Sequence, residues 1–294
     1  DDQSMPQSTM DSDDHLQDLT WRLRSIVGED NVALNEPMSE HTSFRIGGPA
    51  DLFVTPDDID ELRDVIAACK AAGVSHFVLG CGSDLLVADE GYRGVIVSCA
   101  KGLVNVAVDG ETMACQAGVA LREASEMACE LGLSGLEFAC GIPGSVGGAC
   151  FMNAGAYGGC VADVLESVRC LMPDGTQQSL PVGELAMGYR ASRVRDEGLV
   201  VLSATFRLHE DDQDDIRARM DDFTQRRKKR QPLELPSAGS TFKRPEGHFA
   251  GKLITDAGLK GYAHGGASVS TKHAGFVVNN GDRKSTRLNS SHLR

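Results

Sequence analysis

The sequence predicts an α+β fold. Helical and strand-like segments alternate along the 294 residues, but the strands are short and hairpin turns mix with the helical links. A doubly wound parallel sheet would instead show long buried strands, each followed by a helix. Hydrophobic residues make up 41% of the chain and charged residues 24%, which is the balance of a globular protein with a sizeable core.

The clearest helix is predicted from Thr55 to Gly73. Thr55 suits the N-cap, Pro56 suits the first helical position, and apolar residues then recur at helical spacing until Gly73 ends the helix. Two more helices are predicted at 121–131 and 215–230. Strands are predicted at 76–79, 94–99, 104–108, 112–116, 164–172, 199–208 and 275–279.

The domain organisation follows from changes in composition. Residues 1–20 begin with a polar, acidic stretch, so we expect them to form a disordered leader. An acidic connector around residues 209–215 predicts a boundary between residues 21–212 and a C-terminal domain at 213–282. Residues 283–294 almost lack apolar side chains, and we expect a non-native tail there, with a disordered native tail as the alternative.

Charge and cysteine content exclude several classes of function. The formal net charge of -13 argues against unaided binding of nucleic acid or of an anionic membrane. No apolar run is long enough to span a bilayer, and no signal peptide is recognisable, so we expect a cytoplasmic protein. The nine cysteines contain no Cys-x-x-Cys pair, which predicts buried, reduced thiols and no metal site.

Glycine is concentrated in two segments. LGCGSDLLV spans residues 79–87, and CGIPGSVGGACFMNAGAYGG spans residues 140–159, which we expect to lack regular structure. Successive bare backbone N–H groups form anion-binding nests, and missing Cβ atoms let a flat or phosphorylated ligand approach. Neither segment matches the dinucleotide fingerprint or the P-loop. Either one alone is compatible with a structural turn, but two in one chain favour ligand binding.

These segments belong to a longer series. HTSFRIGGPAD at 41–51, the two glycine segments, MGYRASR at 187–193 and SAGSTFKRP at 237–245 occur in the order typical of one family. The chain resembles the MurB family of UDP-N-acetylenolpyruvoylglucosamine reductases over residues 34–282. The resemblance implies an FAD-binding domain of two small α+β subdomains, of the PCMH type, at 21–102 and 103–212. It also implies a C-terminal α+β substrate-binding domain at 213–282. We expect that last domain to be truncated.

The resemblance also implies a reaction and its cofactors. The family reduces UDP-N-acetylglucosamine enolpyruvate to UDP-N-acetylmuramate in peptidoglycan synthesis, with FAD as the cofactor and NADPH as the hydride donor. We expect a monomer that binds these small molecules. Two alternatives stay open, namely another flavoprotein oxidase of the same FAD-binding superfamily and an FAD-binding fragment without turnover.

Residues for the cofactor follow by position. The resemblance places the FAD pyrophosphate at 80–84 and 142–148 and the adenine side at 45–48. The cofactor-binding residues so implied are Arg45, Gly47, Gly80, Cys81, Gly82, Ser83, Asp84, Gly118, Gly141, Ile142, Pro143, Gly144, Ser145, Gly147, Gly148, Asn153 and Gly155. Asp84 departs from the family, which usually has Asn there. A carboxylate near phosphates would weaken FAD binding unless it is turned away or paired.

The resemblance assigns the chemistry of substrate reduction to two residues. Arg190 stabilises the enolate, because a guanidinium stays protonated and binds carboxylate oxygens in pairs. Ser240 donates the proton to the α-carbon. Tyr189 and Arg230 are our candidates for binding the UDP diphosphate. Without the resemblance, we would interpret Tyr189 and Arg190 as a surface contact. We would interpret the basic run 226–230 as the solvated C-terminal end of a helix.

One family residue has no counterpart. The family uses a Glu near its C-terminus in the enolate step, and no residue of this sequence matches it. We therefore expect the chain as given to be severely impaired.

Overall fold

The structure is a computed structural model that describes residues 8–281 of the chain, with side chains from His15 onward. It confirms the α+β class: a layer with a mixed sheet and a layer with an antiparallel sheet, both with helices, are followed by a small C-terminal sheet. In the described part of the chain, no helix combines the length and apolar character that a membrane span needs. The predicted tail at 283–294 lies outside the described residues.

The first layer is a four-stranded sheet with two helices. Its elements in chain order are α1 (Ser8–Val27), β1 (Val32–Pro37), β2 (Pro49–Val54), α2 (Ile59–Ala71), β3 (His76–Leu79) and β4 (Tyr92–Ser98). The strand order is β1-β2-β4-β3, with β1 antiparallel to β2 and the other pairs parallel. Both helices pack in one apolar cluster with the sheet, which also takes in Leu171 and Leu202 from the next layer.

The second layer is a five-stranded antiparallel sheet. Its elements are β5 (Val106–Asp109), β6 (Thr112–Gln116), α3 (Leu121–Glu130), β7 (Leu133–Ser134), α4 (Val146–Met152), β8 (Gly155–Ala156), β9 (Gly159–Cys160), β10 (Leu165–Leu171), β11 (Gln177–Pro181), α5 (Arg193–Asp196), β12 (Val200–Arg207), β13 (His209–Glu210) and α6 (Gln213–Arg230). The order is β11-β10-β12-β6-β5, and the helix α4 packs across β12 with fully buried Val146 and Cys150.

The C-terminal part contains a second antiparallel sheet. Its elements are β14 (Ser237–Ser240), α7 (Ala250–Asp256), β15 (Ala263–His264), β16 (Ala267–Val269) and β17 (Phe276–Asn279), in the order β14-β17-β16-β15. β14 is therefore an edge strand, paired only with β17 within its sheet. Phe44 and Ile46 from the first layer pack against Ala267 and Val277 of this sheet, which fixes the C-terminal part on the first layer.

Three predictions about local structure are wrong. Helix α1 occupies residues assigned to a disordered leader, since Leu19 and Leu23 bury an apolar face beside α2. Helix α2 begins after Asp58 and not after Thr55, because the Asp58 carboxylate accepts a hydrogen bond of 2.8 Å from the Glu61 N–H. Residues 140–159 do contain a helix, α4.

Helix α4 forms despite its glycines because the helix must approach a strand closely. A Cβ on Gly147 would lie 3.0 Å from the Ala117 Cβ, so the glycine allows the contact that buries Val146. The Ser145 hydroxyl caps the helix by accepting from the Gly148 N–H at 3.3 Å. Asn153 ends it in the left-handed conformation, with φ of 42°.

Helix α6 is attached to the second layer by a network of charged groups. The buried Glu137 carboxylate accepts from the Ser134 hydroxyl at 2.7 Å, from the Gly135 N–H at 2.7 Å and from Arg219 at 2.8 Å. Arg219 also pairs with Asp211 at 2.5 Å. The sequence assigned α6 to the C-terminal domain, yet it packs on α3 and on the turn at Glu137, so the domain boundaries stay predictions.

The nine cysteines are all free thiols, and seven of them are buried. Burial raises the pKa of Cys69 to about 11 and that of Cys99 to about 12. These thiols serve as small apolar side chains, as predicted. Cys81 and Cys160 are half-buried.

We predict that Glu137→Gln destabilises the fold by about 1–3 kcal/mol at neutral pH, because it leaves hydrogen-bond donors around a buried site without their charged acceptor. Burial by itself would raise the pKa of Glu137, but the hydrogen bonds from Ser134, Gly135 and Arg219 outweigh it and lower the pKa below the ordinary 4.5. The stabilisation is therefore complete above pH 4.5 and is lost as the pH falls through the lower folded-state pKa.

Urea unfolding of Glu137→Gln from pH 3 to pH 7 measures this effect. Glu126→Gln is the matched control. Glu126 of α3 pairs at 2.7 Å with Arg217, which lies on α6 like Arg219, but this pair is half-exposed. Ion pairs at the surface contribute only about 0–1 kcal/mol. Equal losses in the two variants, or a loss that does not shrink in acid, would contradict the role of Glu137.

Candidate active site

The two glycine turns lie against each other. A Cβ on Gly80 would lie 2.2 Å from the Ser145 Oγ, and a Cβ on Gly144 would lie 3.6 Å from the Ser83 Oγ. Gly82 has a φ of 59°, and a Cβ there would lie 2.0 Å from the His41 carbonyl oxygen. Only glycine fits at Gly80 and Gly82 without a shift of the backbone or of Ser145.

These turns present backbone donors. Within residues 8–281, the N–H groups of residues 81–84 and of Gly144 and Ser145 donate no hydrogen bond to protein. Unused amides on bare turns, together with the N-terminal end of the buried helix α4, fit the phosphates of a dinucleotide. The two turns at 80–84 and 141–148 therefore form one surface with unused backbone donors, which we call the glycine cradle.

A cleft of about 330 Å³ opens beside the first glycine turn. Its walls come from the ends of β3 and β4 and from the segment that precedes β2: Glu40, His41, Thr42, Ser43, Phe53, Thr55, Leu79, Gly80, Cys81, Ser98, Ala100 and Lys101. The His41 ring stacks on Phe53 with centroids 4.0 Å apart, and its Nε2 lies 2.7 Å from the Glu36 carboxylate. These contacts hold the wall of the cleft in one conformation.

Three of the predicted cofactor residues have structural contacts of their own. Gly118 lies where the two layers cross, and a Cβ on it would lie 1.9 Å from the Cys99 carbonyl oxygen. A Cβ on Gly47 would lie 2.8 Å from the Val87 Cβ. A Cβ on Gly141 would lie 2.7 Å from the Arg227 Cδ. Such close contacts explain these glycines through packing, whether or not a ligand touches them.

The remaining predicted cofactor residues differ in exposure. Arg45 and Pro143 are exposed, and Arg45 has a φ of 54°. Ile142 packs against the core of the second layer, and its N–H donates to the Ala139 carbonyl at 2.9 Å. Gly155 pairs with Cys160 in the small β8–β9 hairpin, on the side of the site where Arg190 lies.

Arg190 is held by backbone carbonyls at the end of helix α4. Its guanidinium donates to the carbonyl oxygens of Asn153 at 3.1 Å and Gly155 at 3.2 Å. Arg190 has a φ of 54°, and its own carbonyl accepts from Arg195 at 2.6 Å. The guanidinium is half-buried and lies 5.3 Å above the Tyr189 ring, so its position is fixed from several sides.

The side-chain amide of Asn153 bonds to the backbone on two sides, close to Arg190. The Nδ2 donates to the Gly188 carbonyl at 3.0 Å, and the Oδ1 accepts from the Ala162 N–H at 3.1 Å. The side chain is buried and fully engaged within the protein. The structure therefore places the Asn153 side chain in the support of Arg190, which the sequence did not predict.

Asp84 lies within electrostatic range of Arg190. Partial burial raises the pKa of its carboxyl, and the positive charge of Arg190 acts in the opposite direction without cancelling that effect. The carboxylate thus has a cationic neighbour at the edge of the glycine cradle, although no ion pair joins the two groups.

Tyr189 joins the second layer to the C-terminal part. Its hydroxyl accepts a hydrogen bond of 3.2 Å from the Arg244 N–H, and its ring is largely exposed. Arg230, the other predicted diphosphate ligand, is exposed at the end of α6 and lies near Tyr157. No contact in the described region joins Tyr189 to Arg230.

Arg227 is a site residue that the sequence analysis missed. It packs on Gly141 of the glycine cradle, and its guanidinium forms no hydrogen bond or ion pair with the described residues. Burial lowers the pKa of this guanidinium, and the nearby Tyr157 and Cys140 act in the opposite direction. Helical spacing was the available signal, since Arg227 follows Ile216 and Met220 on the buried face of α6.

Ser240 ends strand β14 on the exposed side of the site. Its Oγ and the ring of His273 both lie within 3.2 Å of the position that a Cβ would take on Gly275. Burial lowers the pKa of His273, so its ring is neutral at pH 7, and its Nδ1 accepts from the Gly275 N–H at 3.1 Å. Gly275 thus leaves room for the Ser240 hydroxyl beside a neutral imidazole.

We predict that Asn153→Ala destabilises the protein by about 3 kcal/mol. Two buried hydrogen bonds contribute about 1 kcal/mol each, and alanine at a positive φ costs about 1–2 kcal/mol more. Urea unfolding measures the loss. Asn153→Gly removes the same bonds without the strain, so it should recover about 1 kcal/mol relative to alanine. A loss below 1 kcal/mol, or no difference between the two variants, would contradict this account.

Known protein families match both halves of the chain. A family model described as an FAD binding domain matches residues 50–180, and the model of the UDP-N-acetylenolpyruvoylglucosamine reductase C-terminal domain matches residues 231–290. The first match contains both glycine turns, and the second contains Ser240.

Individual relatives carry the same name. The chain is 50% identical over 253 residues to a UDP-N-acetylenolpyruvoylglucosamine reductase of Syntrophomonas wolfei, covering 86% of this chain and 85% of the relative. It is 48% identical over 260 residues to the reductase of Clostridium botulinum strain Hall, covering 88% and 85%.

Solved structures agree with this assignment. The reductase MurB from Thermus caldophilus superposes with a TM-score of 0.77 at 36% identity, over 87% of this chain and 90% of that one. The 4-ethylphenol oxidase from Gulosibacter chungangensis shares the fold alone, at 14% identity and a TM-score of 0.53 over 67% of this chain and 43% of that one. The chain belongs to the UDP-N-acetylenolpyruvoylglucosamine reductase (MurB) family.

Proposed function

We propose that this protein reduces UDP-N-acetylglucosamine enolpyruvate to UDP-N-acetylmuramate, with NADPH as hydride donor, in peptidoglycan synthesis. The observation that carries the proposal is the 50% identity to a named reductase over 85% of that relative's length. The net charge of -13 supports small-molecule partners over nucleic acid or an anionic membrane. We place the protein in the cytoplasm as a monomer, which fits its predominantly buried, free thiols.

The glycine cradle is the proposed cofactor site. Within residues 80–84 and 141–148, the unused backbone N–H groups of residues 81–84, Gly144 and Ser145 would hold the FAD pyrophosphate. Arg45 and Gly47 would line the adenine side. Bound FAD supplies the chemistry of hydride uptake from NADPH and hydride delivery to the β-carbon of the enol ether. The protein's own task is then to bind, orient and protonate the substrate.

Arg190 is the proposed enolate stabiliser. Addition of hydride at the β-carbon leaves negative charge on the α-carbon and the carboxylate of the substrate. A fixed guanidinium stabilises that developing charge most when it needs no reorganisation, and the carbonyls of Asn153 and Gly155 hold Arg190 in place beforehand. The N–H groups of Arg190 that do not bond to these carbonyls are available to the substrate carboxylate.

Ser240 is the proposed proton donor to the α-carbon. Its hydroxyl has no protein hydrogen-bond partner in the described part of the chain, and its side chain is exposed at the end of β14. A hydroxyl with a free hydrogen, next to the neutral ring of His273, suits donation to carbon. The negative charge left on oxygen must be stabilised by neighbouring donors or by water.

Arg227 and Arg230 are the proposed sources of positive charge for the substrate diphosphate, with Tyr189 at the boundary between the two parts. Arg227 is the stronger candidate, because its charge is half-buried and unpaired within the described residues. A cation with little hydration contributes more to the binding of an anion than an exposed one does.

Anaerobic mixing tests the proposed reaction. NADPH should bleach the FAD of the purified protein, and UDP-N-acetylglucosamine enolpyruvate should then restore its colour. Recolouring by oxygen alone would identify an oxidase, and the absence of both changes would identify a binding protein without turnover.

We predict that Ser240→Ala leaves the NADPH-driven bleaching unchanged and slows the substrate-driven recolouring by about a hundredfold or more, because general acid catalysis contributes about 10²–10⁴ in rate. Stopped-flow absorbance measures each half-reaction separately. Thr241→Ser, at the neighbouring position, is a control for mutation of this strand. If both half-reactions slowed equally, Ser240 would not be the proton donor.

We predict that Arg227→Ala raises the KM for the enolpyruvyl substrate by roughly 10–100-fold, since a charge-assisted hydrogen bond contributes about 1.5–3 kcal/mol. Steady-state kinetics at fixed NADPH measure the change. Lys228→Ala removes the same charge from an exposed position of α6 and should change KM less than twofold. An equal effect of both variants would show that only the overall charge of α6 matters.

A further inference from the structure

One short segment, residues 41–46, contacts the glycine cradle and the C-terminal sheet at the same time. On the cradle side, the Ser43 N–H donates to the Gly82 carbonyl at 3.0 Å, and the Ser43 Oγ lies 3.4 Å from the Ser83 carbonyl. Because Gly82 has no Cβ, the segment lies directly against the turn that is proposed to bind FAD.

On the other side, the same segment holds strand β14. The Ser43 hydroxyl donates to the Ser237 carbonyl at 2.7 Å, so its single hydrogen is committed mainly to this bond. The buried Asn279 donates from its Nδ2 to the Phe44 carbonyl at 3.2 Å. Ser237 begins the strand that Ser240 ends, and Asn279 ends the neighbouring strand β17.

Strand β14 is bonded to its own sheet at both ends but is irregular between them. It is an edge strand, and its pairing with β17 is irregular between Ser237 and Ser240, where Gly239 has a φ of 78°. The ladder is interrupted between the two ends of the strand, and at its far end the Thr241 N–H donates to the Gly275 carbonyl at 2.9 Å. The bond from Ser43 to the start of the strand attaches β14 to the cradle side as well.

We propose that Ser43 and Asn279 are positioning residues, which set the distance between the glycine cradle and Ser240 by bonding β14 and β17 to the segment at 41–46. The inference rests on the proposed function, since it concerns the group assigned to protonate the substrate. A general acid must lie within about 3 Å of the atom it protonates, and a displacement of about 1 Å can cost a hundredfold in rate.

The role is specific to one half-reaction. Reduction of the cofactor by NADPH does not use Ser240, so loss of the Ser43 hydroxyl should leave it unchanged. Protonation of the substrate does use Ser240, so the recolouring step should slow. A purely structural role would instead lower stability and FAD content and would slow both half-reactions together.

The test uses the FAD-loaded full chain and stopped-flow measurement of both half-reactions. We expect Ser43→Ala to slow recolouring by the enolpyruvyl substrate by about 10–100-fold, to raise its solvent deuterium isotope effect, and to leave bleaching by NADPH within twofold. Ser43→Thr keeps the hydroxyl and should restore most of the rate. Asn279→Asp, which keeps the acceptor for the Gly281 N–H and loses the Nδ2 donor, should act like Ser43→Ala.

Two controls separate the possible outcomes. Ser39→Ala removes a half-buried hydroxyl from the same stretch of chain and should have no effect. Ser43→Ala added to Ser240→Ala should cause no further loss if Ser43 acts through Ser240. Additive losses, equal slowing of both half-reactions or loss of FAD would overturn the inference. Failure of the unaltered protein to recolour would overturn the proposed function, and the inference with it.

Discussion

The site depends on the close approach of two glycine turns. Gly80 lies against Ser145, and Gly82 lies against the His41 carbonyl, at separations that no side chain would permit. The same contact brings three otherwise distant parts together, since Ser145 caps helix α4 and His41 begins the segment that reaches the C-terminal sheet. The bare backbone is thus both the proposed cofactor surface and the joint between the layers. A methyl group at Gly82 would damage both at once, because the atom in its way is backbone.

Electrostatic preorganisation is the second constraint. The Arg190 guanidinium is held by two backbone carbonyls and not by a carboxylate. Carbonyl dipoles hold the guanidinium in place and leave its net charge unchanged. An ion pair with Asp or Glu would instead neutralise that charge. Asp84 is near enough to be influenced by Arg190, but the two form no ion pair. The positive charge of Arg190 therefore remains available at the proposed active site.

Sequence patterns predicted most of the elements and missed those that depend on distant partners. Alternation of short strands with helices was sufficient for the α+β class, and the strand at 112–116 has the predicted bounds. Helix α4 was missed because its glycines oppose helix formation until Ala117 packs against them. Arg227 could have been found from helical spacing. The bond from Ser43 to Ser237 could not, because it joins residues 194 positions apart and a serine in a turn carries no sign of its partner.

The shared core of the first two layers has a consequence for synthesis of the protein. The first sheet and its helices bury their apolar faces together with Leu171 and Leu202, which belong to strands β10 and β12. The ribosome makes the first sheet by residue 98 but supplies Leu202 about a hundred residues later, which at 5–20 residues per second takes roughly 5–20 s. During that interval the nascent first layer has an incomplete apolar face. This face is therefore completed only by chain that is made later, so the final packing of the first layer is coupled to the second.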